Sequence, residues 1–121
     1  MSESNRTIGN RGELIAIEYL QRHDYRIVET NYVATKGGEI DIIAEKDGIT
    51  VFFEVKYRTG ISHGSAIECF TYEKRRRFLF AVRWYCMKKK ITEDRIQIDF
   101  IAIQKGHTGH RVTHMKNVAM G

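Results

Sequence analysis

Proline, cysteine and long apolar runs are what this 121-residue sequence has least of. It contains no proline at all, and no low-complexity tract or internal repeat, so nothing in it reads as a linker between domains. Its two cysteines, Cys69 and Cys86, form no Cys-x-x-Cys arrangement, which removes the usual zinc-ribbon and redox signatures and fits free thiols in a cytoplasmic protein. No stretch approaches the roughly 20 apolar residues of a membrane span, and the opening MSESNRTIGNRG is too polar for a secretory leader. The expectation is a cytoplasmic chain with no membrane partner.

What is present is enough apolar material, 42% of the residues, for one core, and too short a chain for two; a single domain over residues 1–121 is expected. Lys and Arg number 20 against 15 Asp and Glu, a net charge of +5, which favours a polyanionic partner without specifying one. Much of that charge lies in Lys74 to Arg77 (KRRR), Arg83 and Lys88 to Lys90 (KKK). A basic run of this kind is by default a solvated helix face; beside an acidic cluster it would contact phosphates, with Arg58, Lys74 and Arg76 as the candidates.

Hydrophobic periodicity predicts a helix over residues 11–23, with Leu14, Ile17 and Leu20 facing inward and Asn10 as N-cap. Strands follow over 25–32, 40–45 and 49–57, with a loop at Thr35-Lys36-Gly37-Gly38 and a hairpin turn at Asp47-Gly48. A mostly helical segment over 65–90, a strand over 95–103 and an edge strand over 111–119 complete an α/β order of helix, three strands, helix, strand, strand.

The stretch GEIDIIAEKDGITVFFEVKYR places acids inside two strands of that hairpin. A two-residue loop at Asp47-Gly48 sets Asp41 opposite Glu54 and Glu39 opposite Lys56, with Asp41, Glu54 and Lys56 on one side of the sheet. The other side carries Ile40, Ile42, Ala44, Val51, Phe53 and Val55, an apolar surface that pins the register. Opposed carboxylates destabilise a sheet by up to about 1 kcal/mol, so they ask for a partner. A hard divalent cation such as Mg²⁺ or Mn²⁺ is one, with Lys56 orienting or deprotonating a water for phosphodiester hydrolysis. A solvated sheet face with Lys56 balancing Glu54 or Glu39 is the other account.

An acid on one strand followed by Glu-x-Lys on the next resembles the PD-(D/E)xK nuclease superfamily. Gly12-Glu13, Gly38 to Ala44 and Phe53 to Arg58 look like the bacterial YraN family of endonuclease-like proteins, with more distant similarity to archaeal Holliday junction resolvases. Ala16, Tyr19-Leu20, Asn31, Lys74 and Asp99 extend the match, whereas Val33 stands where a basic residue is expected. The resemblance implies a restriction-endonuclease-like αβββαβ core with a mixed central sheet flanked by helices. It also implies a site of Glu13, Asp41, Glu54 and Lys56 with Mg²⁺ or Mn²⁺, in which Asp41, Glu54 and the Val55 carbonyl bind metal and Glu13 holds a second metal or its water. DNA, branched or otherwise structured, would be the substrate, and the kinship with junction resolvases points to a homodimer. The alternative is a nucleic-acid-binding module of the same fold, without turnover, acting in DNA repair or recombination.

Other candidates carry less. Asn10-x-x-Glu13 also reads as a capping box, leaving Glu13 either a cap or a site residue. Asp99 fits a salt bridge or hydrogen bond better than catalysis. His107, His110 and His114 are spaced poorly for zinc, and His63 has no assigned role.

Overall fold

The computed structural model describes residues 5–60 and 66–118, with side chains from residue 11 onward. Helix α1 (Asn5–Arg22) is followed by β1 (Arg26–Val33), β2 (Glu39–Lys46) and β3 (Ile49–Arg58). A 3-10 turn (Ala66–Cys69), helix α2 (Tyr72–Lys89), a second 3-10 turn (Glu93–Arg95), β4 (Ile96–Lys105) and β5 (His110–Met115) complete the order. The strands lie side by side in chain order. Every neighbouring pair is antiparallel except β3 and β4, which run parallel and so need the crossover that α2 supplies. The result is a mixed α/β sheet of five strands flanked by helices, in the element order that the sequence predicts. Among the described residues no helix is long and apolar enough to cross a membrane.

The turn joining β2 to β3 fixes everything near it. Asp47 and Gly48 both take positive φ, 52° and 79°, the backbone that a two-residue hairpin loop requires. Pairing then runs from Lys46 opposite Ile49 to Ile42 opposite Phe53, which is the expected register.

Both faces of the sheet are apolar, which explains the nearly unbroken run Val51-Phe52-Phe53 in the central strand, all three buried. On one face Ala16 and Leu20 of α1 pack with Ile42, Val51, Phe53 and Ile101. On the other, Phe78, Ala81, Val82 and Tyr85 of α2 cover Ile40, Ile43, Phe52 and Phe100. The side of the hairpin that carries the acids is therefore no open solvated face.

Local details correct the sequence expectations. Asn10 is not an N-cap, because α1 already starts at Asn5, and the capping-box account of Glu13 goes with it. Leu14 is 67% exposed. The buried row of α1 is instead Gly12, Ala16 and Leu20, since Gly12 lets the helix press onto β3: a Cβ there would lie 2.7 Å from the Tyr57 Cβ. Ile40 joins Ile43 under α2 rather than Ile42 under α1. Across from this change of face lies Asn31, whose positive φ of 52° falls between the residues paired with Ile42 and Ile40. Helix α2 begins at Tyr72, its first turn capped by the Thr71 hydroxyl, which accepts the Lys74 N–H at 3.3 Å. Strand β5 stops at Met115, short of the expected 119, and residues 61–65, including His63, lie outside the described residues.

Asp99, fully buried on the α1 face, is a structural tie as expected. Its carboxylate accepts from Gln97 Nε2 (2.8 Å), the Asn117 N–H (2.9 Å) and His114 Nε2 (2.7 Å), and the other nitrogen of that imidazole meets the Tyr19 hydroxyl at 3.0 Å. His114 is thereby turned inward, while His110 meets the Tyr57 hydroxyl at 3.2 Å, so the histidines of this edge do not gather as metal ligands.

Gly38 closes the loop before β2 against α2. Its φ is +89°, and a Cβ would lie 2.3 Å from the Arg77 carbonyl oxygen, whereas neighbouring Gly37, at φ +106°, faces open space. Gly37→Ala should therefore cost about 1–2 kcal/mol from backbone strain alone, and Gly38→Ala about 3 kcal/mol or more from strain plus overpacking. Urea unfolding of the two variants measures the difference; equal losses would show that Gly38 does not set the approach of α2.

Candidate functional site

The ladder between β2 and β3 ends at Ile42 and Phe53. Beyond it β2 continues only with β1, to Glu39 opposite Val33, and β3 only with β4, to Arg58 opposite Gln104. The two strands part into a fork. Asp41 and Glu54 are the first residues past the last pair, so the register carries their carboxyls to its apex. Asp41 Oδ2 accepts the Val55 N–H at 2.8 Å, a side chain filling a place that the ladder has vacated.

Crowding two acids in a half-buried notch changes both. Burial pushes the Asp41 carboxyl up to about 7; the Val55 N–H opposes this, and the charges of Glu13 and Glu39 add to it. Burial and then the charge of Asp41 push Glu54 up to about 8, with Lys74 opposing. Each carboxyl acts on the other's ionisation. Like charges this close resist joint ionisation.

The remaining predicted residues divide around the pair. Glu13, brought in by the close seat of Gly12 on β3, is near enough to act on Asp41 by its charge, but its Oε2 is engaged by Asn31 Nδ2 at 2.9 Å. Glu39 does not face Lys56, because the ladder ends before it would; it borders a cavity with Glu54, Lys74 and Arg77. Lys56, two residues past Glu54 on the same strand, lines a second cavity with Glu54, Cys69, Phe70 and Lys74. Arg58 reaches that cavity's wall, its Nη2 lying 3.4 Å from Cys69 Sγ, and this hydrogen bond holds the Cys69 thiol below its ordinary range. Arg76 is exposed and borders neither cavity. In its place the helix presents Arg77, three residues after Lys74, a spacing from which the sequence could have identified it. Cys69 carried no such signal, since only the 3-10 turn brings it in.

Among the described residues no group of three or more His, Cys, Asp or Glu side chains stands close enough to hold a metal ion. A cation at the fork would thus take two carboxylates from side chains and fill its shell with water, backbone and substrate oxygens. That donor set suits Mg²⁺ or Mn²⁺ and does not suit structural zinc.

A family profile described as "Uncharacterised protein family UPF0102" matches residues 12–103. The chain belongs to this family. Glu13, Asp41, Glu54, Lys56, Arg58, Lys74 and Arg77 all fall within the matched span, while His114 and Asn117, which hold Asp99, fall outside it. A UPF0102 protein of Alkaliphilus oremlandii is 36% identical over 115 residues, covering 93% of this chain and 97% of its own. Those of Clostridium perfringens (40%, covering 85% and 84%) and Vibrio parahaemolyticus (41%, covering 83% of each) are similar along most of their length. The UPF0102 name carries no activity, so function rests on the chemistry of the fork.

Raised carboxyl pKa values have a definite consequence for stability. The contribution is fully present below the ordinary carboxylate value near 4 and is lost as pH rises through about 7 and 8. In metal-free buffer the urea midpoint should therefore fall between pH 5 and pH 8.5. Asp41→Asn, whose amide oxygen can still accept the Val55 N–H, should flatten that fall and exceed the wild type in stability at pH 8.5. An unchanged slope in the variant would show that the acid pair is not its source.

Proposed function

We propose that this UPF0102 protein is a metal-dependent endonuclease of PD-(D/E)xK type that hydrolyses phosphodiester bonds in DNA, branched or structured forms included. The observation that carries the proposal is the pairing of Asp41 and Glu54 at a fork in the sheet, both reluctant to ionise together, with Lys56 and Lys74 alongside. Asp41 and Glu54 would hold Mg²⁺ or Mn²⁺, with the Val55 carbonyl as a backbone ligand. Such an ion, when bound, polarises a phosphoryl oxygen and lowers the pKa of water.

The chain's own residues supply the rest. Lys56 orients the attacking water and takes part in its deprotonation as a bond forms from water oxygen to phosphorus and an ester P–O bond breaks. Glu13, held by Asn31, adds negative potential on the far side of Asp41 and strengthens the attraction of the fork for cations. Lys74, Arg77 and Arg58 contact phosphates. Since phosphate contacts position a nucleic acid without reading its bases, the cluster favours binding that tolerates many sequences.

A second reading is favoured by the lack of a third side-chain ligand among the described residues: a DNA-binding module of the same fold, without turnover, in repair or recombination. Titration with Mn²⁺ separates the two. The nuclease should bind Mn²⁺ at the fork and lose that binding in Asp41→Asn. It should also cleave at least one member of a panel of linear, flapped and four-way DNA with Mg²⁺, and Lys56→Ala should cut the rate by about 10²-fold or more. Equal cleavage by Lys56→Ala, or none by the wild type, removes the enzymatic reading. Salt-sensitive binding that ignores both divalent metal and Asp41→Asn then establishes the second.

A further inference from the structure

Charge around Glu54 is distributed with a direction. On its β2 side lie the acids Asp41 and Glu39, with Glu13 acting on Asp41 from α1. On its other side β3, the first 3-10 turn and α2 enclose the cavity lined by Glu54, Lys56, Cys69, Phe70 and Lys74. Two ammonium groups thus border one small space that offers a single carboxylate, and the Arg58 guanidinium reaches its wall through Cys69. Buried Phe70 and Phe100 form the floor and keep the local dielectric low, which strengthens attraction for an anion. Cys69 is half-buried there, its sulfur a weak donor and acceptor at the position a ligand oxygen would approach.

We infer that this cavity seats a phosphate of the bound nucleic-acid strand next to the one at the fork, gripped by Lys56 and Lys74 with the Cys69 thiol against it. The inference rests on the nucleic-acid reading above and adds a direction to it: the strand crosses Glu54 from the acidic fork toward the cavity between β3 and α2. A phosphodiester oxyanion is tetrahedral and singly charged, small enough for the space, and two lysines are sufficient to hold it as point charges. Once a cation occupies the fork, Glu54 no longer opposes such an anion.

Cys69 makes the seat measurable without turnover. The wild-type protein is alkylated with uncharged iodoacetamide, and the Cys69 and Cys86 peptides are quantified by mass spectrometry, Cys86 serving as the internal reference. This is done alone, with inorganic phosphate, and with a saturating short single-stranded oligodeoxynucleotide, in EDTA and again with Ca²⁺. Fluorescence anisotropy of the same oligonucleotide reports its binding independently. The oligonucleotide should slow Cys69 at least 5-fold and leave Cys86 unchanged, and Lys74→Ala, an exposed helix position, should abolish most of that protection. Oligonucleotide binding with Cys69 alkylated at its free rate overturns the seat and leaves the nucleic-acid reading intact. No oligonucleotide binding in either buffer overturns the strand assignment, and the nucleic-acid reading is then judged on the linear, flapped and four-way substrates above; protection by inorganic phosphate alone would then show a small-anion pocket unconnected to a strand.

Discussion

Two carboxyls that cannot avoid one another are the constraint on which the rest of this molecule turns. Their meeting is set by a turn and not by attraction: Asp47 and Gly48 take the positive φ of a tight hairpin, and the register that follows runs to Ile42 and Phe53, so Asp41 and Glu54 come next on the two strands, at the apex of the fork. Such a pair would ordinarily be relieved by a slip of one residue. Here a slip would expel Val51 and Phe53 from one core and Phe52 from the other. Two-sided burial of the central strand therefore transmits the cost of the acid pair into the whole sheet, and the sheet resists it.

The helices complete the site by coming close. Gly12 allows α1 to settle onto Tyr57, which brings the next residue, Glu13, within electrostatic reach of Asp41. Gly38 lets the loop before β2 touch the backbone of α2 at Arg77, so the first turns of that helix, with Lys74, overhang Glu54. Both contacts depend on a missing Cβ. Glu13 and the basic residues of α2 are thus delivered to the strand acids by two close approaches on opposite faces of one sheet, and neither helix could carry its charge there with an ordinary side chain in between.

How much of this could be read in advance follows from the range over which each feature is determined. The hairpin and its register as far as Ile42 and Phe53 were legible, because turn chemistry and period-two alternation act over a few residues. The element order was legible for the same reason. The orientation of Ile40 was not, since strict alternation along β2 puts it with Ile42, whereas it packs with Ile43 under α2. Leu14 was misplaced because helical periodicity alone cannot tell that a glycine, lacking any side chain, marks the buried row. Asn10 looked like a cap only if the polar residues before it were taken as non-helical. Glu39 was matched to Lys56 by extending a ladder that in fact stops at Phe53, and the end of a ladder is a tertiary event. Arg77 and Cys69 belong to the site through packing between elements distant in sequence.

The contrast between fully buried Asp99 and half-buried Asp41 separates a finished structural tie from an open one. Burial pushes both Asp41 and Asp99 upward. At Asp99 the donors from His114, Asn117 and Gln97 outweigh burial and hold the carboxyl below its ordinary range, so the charge is satisfied and the group is finished as a structural tie. Asp41 has the Val55 N–H and, across from it, another acid. Its charge is left under-compensated on the side of the fork that opens between the strands. The sheet that surrounds Asp99 with three donors gives Asp41 one backbone donor and a neighbouring acid, so this pair holds its protons to a higher pH than Asp99 does. Two acids with so few donors respond to any charge brought near them, which is why the fork, and not the better-connected Asp99 network, is the place to seek the function of this protein.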